Sequence, residues 1–472
     1  MFKRVLVLLL VGVVLCWASG GWAATYYIDA ATGNDSDDGL SEANAWLTVS
    51  TISGRTFAAG DTIYIMNGTY SCTGGTETTP ACRVNQNGTA ANPITITAYP
   101  GHSPIIEGGG GTTGAVMGAG ADYHTISDLE VQACGCFCLT NAGAPDTIVR
   151  AGIIYELNAL HGVGGASTEN CSVIFLRQST GAIIRDNVIS DNQRSAGGQN
   201  NAGIMMEENV SAVIHNNRFY SLRTGIFNKY GGDSHEFHSN YIHDVEFGII
   251  HACFGEDAVA PCQNSNIHHN IIAFVGNEGF SGGATTTGTS HDGTLVEHNT
   301  FHSIGSSASA HGIRVDGATP GAIIRDTYVQ CSANCRGNLI FGTTMQTSNY
   351  NAYNDSRVQW ILNEDGTPTT YTTWAGWQAA TWDANGLQIT GTPFTGTPVI
   401  DGTDPTVYRP SSGGGLQNIS STGSHIGAYD DVTVARVATS SRSGVAARPG
   451  DSGRAAAASR PTPGSTRVIG PR

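Results

Sequence analysis

One short phrase recurs through the middle of this 472-residue chain: GAIIRDNVIS, SAVIHNNRFY, SHEFHSNYIH, NSNIHHNIIA, GTLVEHNTFH and, weakened, GAIIRDTYVQ. Self-similarity at this period marks a coiled repeat, in which each unit buries its apolar face only by stacking on its neighbours. The polar anchor of each phrase falls at Asn187, Asn217, Asn240, Asn270, Asn299 and Thr327, at intervals of 30, 23, 30, 29 and 28 residues. Fixed phrasing with variable spacing implies rigid strands joined by elastic loops.

Apolar residues sit three before and two after each anchor, as in Ile184 and Ile189, Ile214 and Phe219, or Ile267 and Ile272. This period-2 alternation is that of short strands with one face buried, and it places the Asn in a bend between two of them. Near most anchors stands another strand opening with Gly and an apolar residue: GIMME, GIFNK, GIIHA, GFSGG and GIRVD. Three short parallel strands per turn describe an all-β, single-stranded right-handed parallel β-helix with three sheets. The anchor amides can then form an internal ladder that satisfies polar groups otherwise buried at a cost.

These phrases resemble the repeats of the pectin-lyase-like parallel β-helix superfamily. A second resemblance lies nearer the start, in TYYIDAATGNDSDDGLSEANAWLT, GDTIYIMNGTY and NPITITAYPGHSPIIEGGG, which are similar to the opening segment of secreted bacterial β-helix proteins, the chondroitinase B and alginate lyase family among them. The resemblance implies an N-terminal cap and first turns over 24–110, repeats over 111–345, and C-terminal turns with a cap over 346–431. A cap covers the unpaired edges of the terminal turn. Within the first stretch, Asn34, Asp35, Asp37 and Asp38 offer oxygens for Ca²⁺ but lack the closing Glu of an EF-hand loop, so they read as a solvated turn. Trp374, Trp377 and Trp382 suit either a plug on the last turn or a sugar platform.

Residues 1–23 read as a signal peptide: Lys3 and Arg4, the run VLVLLLVGVVL, then small residues with Gly21 and Ala23 at cleavage spacing. The run is too short for a stable membrane anchor, and bulky Leu15 before Cys16 disfavours a lipoprotein. Export assigns the remaining cysteines to an oxidising compartment, secreted or periplasmic. Cys72 with Cys82, Cys253 with Cys262 and Cys331 with Cys335 then read as loop-stapling disulfides. Cys134, Cys136, Cys138 and Cys171 either bridge or hold a metal, although their spacing matches no zinc motif.

Charge divides the chain. Residues 24–431 carry 14 basic and 37 acidic groups, net −23, whereas 432–472 carry seven Arg and one Asp, net +6, and no aromatic residue, the composition of a disordered tail. An acidic body excludes nucleic acid as a partner, and it repels polyanionic sugars unless a cation or local basic groups invert the field. With the signal removed, nothing holds the chain to a membrane, and it is expected to act as a monomer.

Superposing the Gly-apolar strands assigns their faces. Ile204, Ile226, Ile249, Phe280 and Ile313 point inward; Met205, Phe227, Ile250, Ser281 and Arg314 point out, as do Glu207 and Lys229 two positions later. CSVIFLR, one rung back, aligns Arg177 with Glu207. Arg177, Glu207 and Lys229 therefore stack on consecutive rungs roughly 4.8 Å apart, and Lys229 is the only lysine after Lys3. This set suits β-elimination from a uronic-acid polysaccharide. Such a reaction needs a base for the proton beside the carboxylate and a cation to take up the developing charge. A lysine, unlike an arginine, can shed its proton when desolvated. The expected roles are Lys229 as base, Arg177 as carboxylate clamp, and Glu207 as lysine orienter or Ca²⁺ ligand with Glu208 and Asp233. Arg314, Phe227, Asn228 and His291 are the substrate-binding candidates. Glu256, Asp257, His291 and Asp292 lie in two long loops that could wall a groove. The same ladder also suits a plain charge stack on a solvated sheet, worth less than about 1 kcal/mol per pair.

Two histidine columns complete the pattern. His215, His238 and His268 precede successive anchors by two residues, and His243 and His302 follow theirs by three; both columns are expected to face outward. His251 reads as a hydrogen-bonded core residue. The leading functional reading is a lyase of acidic polysaccharide. A non-catalytic adhesion or polysaccharide-binding rod and a glycoside hydrolase, which needs two carboxylates roughly 5–10 Å apart, stand as alternatives.

Overall fold

The computed structural model describes residues 23–428, apart from short stretches between strands, the longest being 142–148, 163–170, 193–199, 254–261 and 285–291. The signal peptide, the basic tail, Trp382, Glu256, Asp257 and His291 lie outside the described residues.

Among the described residues thirteen strands form one parallel sheet, twelve of them in chain order, from Thr25–Ile28 through Ser211–His215, Glu236–His238 and Asn266–His268 to Thr347–Asn349, with Arg150–Ala151 paired beside this path. Each pairs with the strand one turn earlier and one turn later, as Ile214 with Phe237 and Phe237 with Ile267. The rest of each turn forms a second sheet. The sequence implies three separate faces, but in Tyr241–Cys253 and Ile271–Ala284 a single strand continues through the bend between the second and third. The result is a parallel β-helix, and parallel strands joined by crossovers take the right-handed sense. The N-terminal turn carries two short 3-10 helices, Glu42–Asn44 and Val49–Gly54. Asp35 accepts from the Leu47 and Thr48 amides, both at 2.9 Å, so this acidic segment is a turn closed on itself.

The Asn ladder is present, and longer than the repeats foretell. Asn158, Asn187, Asn217, Asn240, Asn270 and Asn299 form one unbroken column, each Nδ2 donating to the next Oδ1 at 3.0–3.1 Å. Each amide nitrogen in the middle of the column also bonds a strand carbonyl one turn back, as Asn240 Nδ2 to Ile214 O at 2.8 Å. Beyond Thr327, whose N–H reaches Asn351 Oδ1, the column ends where Asn351 Nδ2 donates to Asp383 Oδ1 at 2.6 Å. The bend itself is made by the residue before each anchor: Leu157, Asp186, Asn216, Ser239, His269, His298, Asp326 and Tyr350 all have φ between 51° and 58°. That left-handed conformation costs on the order of 1 kcal/mol per residue, and the buried, fully bonded amide beside it offsets the cost.

Gly203, Gly225, Gly248 and Gly279 explain the Gly-apolar motif. A Cβ on any of them would come within 2.8 Å of the carbonyl oxygen of the glycine one rung on, and within 2.8 Å of a core side chain such as Phe219 or Ile242. The interior is otherwise stacked Ile, Val, Phe and Leu, with Asn228, His235 and His251 as buried polar members. Asn228 Nδ2 lies 3.1 Å from His251 Nδ1, in keeping with a hydrogen-bonded core position for His251.

Trp377 does plug the coil: it is fully buried on the short helix Trp374–Ala379 and donates to Asp383 Oδ2 at 2.9 Å. Residues 394–428 then turn back along the outside and cover Tyr241, Ile271, Tyr328 and Ala352 with Phe394, Tyr408, Leu416 and Ile426. The Asp326 carboxylate clasps this segment by accepting from the Ser421 N–H at 2.6 Å and the Ser421 hydroxyl at 2.5 Å. His243 and His302, expected on an open surface, lie near or under it; the His302 ring is 5.4 Å from that of Tyr408. Burial takes the imidazole of His243 down to about 3 and that of His302 to about 4.

Truncating Asn240 to Ala strands the Asn217 donors and the Ile214 carbonyl inside the coil. A loss of roughly 3–5 kcal/mol in urea unfolding is expected, from about 1–3 kcal/mol per unsatisfied buried group. The histidines give a pH dependence of definite sign. Their folded pKa values are depressed, so their contribution is complete above about 6.5 and is lost as pH falls toward 4, at about 1.4 kcal/mol per pH unit for each. His302→Phe should flatten the fall of the urea midpoint between pH 6.5 and 4.5.

Candidate functional site

The second sheet brings Arg177, Glu207 and Lys229 together in the order that strand superposition implies. Arg177 pairs in register with Glu207. The Lys229 N–H bonds Met206 O at 3.0 Å and carries the register one step past Met206 and Asn228, so Lys229 sits beside Glu207. Lys229 Nζ lies 3.1 Å from Glu207 Oε1 and 4.2 Å from the centre of the Tyr230 ring. The pair is not the solvated charge stack that surface residues would form: the side chains are only 10% and 5% exposed. Removing two charges from water costs several kcal/mol per ion, and only close pairing and further hydrogen bonds recover it.

Arg177 is gripped rather than free. Its backbone N–H and C=O are both bonded by the Asn141 amide, at 2.8 and 3.0 Å, and its Nη2 meets Glu208 Oε1 at 2.7 Å. Glu208 also accepts from Gln178 Nε2 at 2.7 Å and takes a left-handed turn, φ 58°. Tyr230, Asn141 and Gln178 carry no repeat signal in the sequence, because each stands where a strand gives way to a bend.

Other candidates are placed differently. Phe227, expected to line a substrate site, is 5% exposed in an outer apolar cluster with Phe137, Phe175, Met205 and the Cys136–Cys171 disulfide. The outward column buries its own aromatic side chains against one another. Asn228 points into the coil, as alternation requires of a residue between Phe227 and Lys229. Arg314 is outward and bound to Glu278 Oε1 at 2.9 Å, with His311 Nδ1 3.7 Å from the same oxygen. Burial works against the Glu278 charge, yet His311 and Arg314 together hold its carboxyl below the usual range.

The expected calcium set does not assemble. Glu207 is committed to Lys229, Glu208 to Arg177 and Gln178, and Asp233 accepts from Asn264 Nδ2 at 3.2 Å. Among the described residues no three His, Cys, Asp or Glu side chains are grouped to hold an ion. The four clustered cysteines close as Cys134–Cys138 and Cys136–Cys171 disulfides, which removes the metal alternative, and Cys72–Cys82 forms as expected. Cys262 and Cys331 are disulfide-bonded as well, while the side chains of Cys253 and Cys335 lie outside those described. A recess of about 480 Å³ lies elsewhere, against the N-terminal turn between Thr48, Tyr70 and Ala81. It has no charged lining residue.

No protein-family model matches the chain, and no curated protein matches its sequence. Solved structures do match. Pectate lyase Pel9A superposes with a TM-score of 0.55 over 87% of this chain and 97% of its own, at 13% identity. The two chains share the parallel β-helix fold. Two further matches are the XylC complex with xylose (TM-score 0.47, 14% identity, 72% of this chain and 85% of that one) and a rhamnogalacturonan lyase (0.43, 15%, 74% and 79%). At 13% identity the likeness to the pectate lyase establishes the coil alone.

The buried pair should be strongly coupled. Lys229→Met alone takes the ammonium away from the buried Glu207 and should cost roughly 3–5 kcal/mol, as should Glu207→Gln, whereas the double variant should cost well under the sum. Urea unfolding of the four proteins measures the coupling.

Proposed function

We propose that the protein is an exported carbohydrate-active β-helix that cleaves a uronic-acid polysaccharide by β-elimination at Lys229. The observation that carries this reading is the Lys229–Glu207 pair, desolvated on a rung aligned with Arg177, on a coil that shares its fold with a pectate lyase. The disulfides suit an oxidising compartment, and among the described residues no helix is long and apolar enough to cross a membrane.

In the proposed reaction, Lys229 takes the C5 proton of a uronate. The electrons of that bond form the C4–C5 double bond, the C4–O4 bond breaks, and the leaving oxygen takes a proton from solvent water, to which the C5 proton is in turn returned. Arg177 faces the carboxylate on which charge accumulates before O4 departs, a role in which a preorganised cation contributes several kcal/mol. Glu207 orients the lysine and takes up its proton between turnovers, and Tyr230 limits its swing. Because Glu207, Glu208 and Asp233 are already committed, no step is routed through calcium.

Purified protein incubated with a panel of uronate polysaccharides, with and without Ca²⁺, should release unsaturated product absorbing in the ultraviolet. Lys229→Ala should lower that rate by at least about 100-fold, and Arg177→Lys should raise KM and lower kcat together. An inert wild type across the panel favours the reading as a binding or adhesion rod, and an unchanged rate in Lys229→Ala removes the assigned base.

A further inference from the structure

The outer face of the first sheet carries a second pattern, away from Lys229. Over seven consecutive rungs one column reads Glu156, Arg185, His215, His238, His268, Glu297 and Arg325, all in register. Reversed, it reads base, acid, three imidazoles, base, acid, so every acid of the forward column meets a base of the reversed one. The neighbouring outward column shares the symmetry: Ile154 and Ile183 at one end, Leu295 and Ile323 at the other, each only partly buried.

The face is also flat. The rings of His215 and His238 are 4.8 Å apart at 4°, and those of His238 and His268 are 5.0 Å apart at 7°, whereas neighbouring strands of an ordinary sheet turn by about 20–25°. Parallel rings one rung apart cannot both reach an ion at about 2.1 Å, so the stack is no metal site. With Asp186, Glu236, Glu156 and Glu297 around two arginines, it is no surface for a polyanion at neutral pH either.

We propose that this face docks a second copy of the chain, running antiparallel about a two-fold axis through the His238 rung. Self-complementarity is what an isologous interface requires. Arg185 then faces the second copy's Glu297, and Glu156 its Arg325. Each guanidinium, paired within its own chain to Glu156 or Glu297 and 43% or 40% exposed, lies between two carboxylates. His215 lies over His268, His238 over itself, and the aliphatic ends over one another. The single like-charged encounter is Glu236 with its own copy at the axis, where His268 Nε2 already holds it at 3.3 Å. Seven rungs span about 29 Å, and a strip three residues wide buries on the order of 500 Å² per copy. That is small for a permanent dimer, so the expected dissociation constant is about 1–100 μM. The proposal departs from the monomer expected from the sequence.

Charge exchange tests it. Sedimentation of the exported chain over about 1–300 μM should show a reversible dimer. Arg185→Glu and Glu297→Arg should each remain monomeric, because each sets like charges across the axis. An equimolar mixture of the two variants should regain the dimer, since each then meets its complement. The second pair, Glu156→Arg with Arg325→Glu, repeats the test at the other end of the column should either first variant fold poorly. A wild type that stays monomeric at every concentration, a dimer that survives both single changes, or a mixture that stays monomeric overturns the proposal. Cleavage at Lys229 is read separately, so loss of one does not imply loss of the other.

Discussion

The structure depends on how a buried backbone corner is satisfied. Each turn must bend inside the coil, where a backbone amide or carbonyl left unbonded costs about 1–3 kcal/mol. A left-handed residue followed by Asn meets this need locally and between turns. The left-handed residue turns the chain, and the Asn amide then bonds one rung backward and one forward. Because one device serves every corner, rungs can differ in loop length without disturbing the stack. The same demand places glycines at the second bend, where carbonyls one rung away leave no space for a side chain.

What was legible in the sequence follows from this economy. The Asn anchors, the inward and outward faces, and the Arg177, Glu207 and Lys229 alignment all rest on alternation and register, which a repeat displays openly. Asn158 and Asn351 belong to the ladder but stand in rungs whose flanking residues have diverged from the phrase, so the pattern alone passes over them. The left-handed residue is hidden for another reason: Leu157, Asp186, Ser239, His269 and Tyr350 share a backbone angle and no side-chain chemistry.

Outward direction and exposure part company in this coil. Phe227 and Lys229 both face away from the core, yet both are largely buried, and His302 is covered by a segment more than 90 residues downstream in the chain. A solenoid specifies direction through strand alternation but leaves accessibility to loops and returning segments, which lie outside the repeat. Asn228 shows the opposite case: adjacency in sequence to Phe227 and Lys229 is adjacency across the sheet, with the side chain inside.

The amide column has a polarity. From Asn158 to Asn270 each side-chain nitrogen gives a hydrogen toward the C-terminal end, as in Asn158 to Asn187 and Asn270 to Asn299, and beyond Thr327 Asn351 does the same toward Asp383. Between Asn158 and Asn299 such a chain of donors can be extended or shortened by whole turns, because every link there is chemically alike. It cannot simply be cut at its far end, where a group that only accepts must stand. Asp383 is that group, gathering hydrogens from Asn351, Tyr353, Ser348 and Trp377. Evolution can therefore insert or delete rungs in the middle of this molecule while its stopper stays in place.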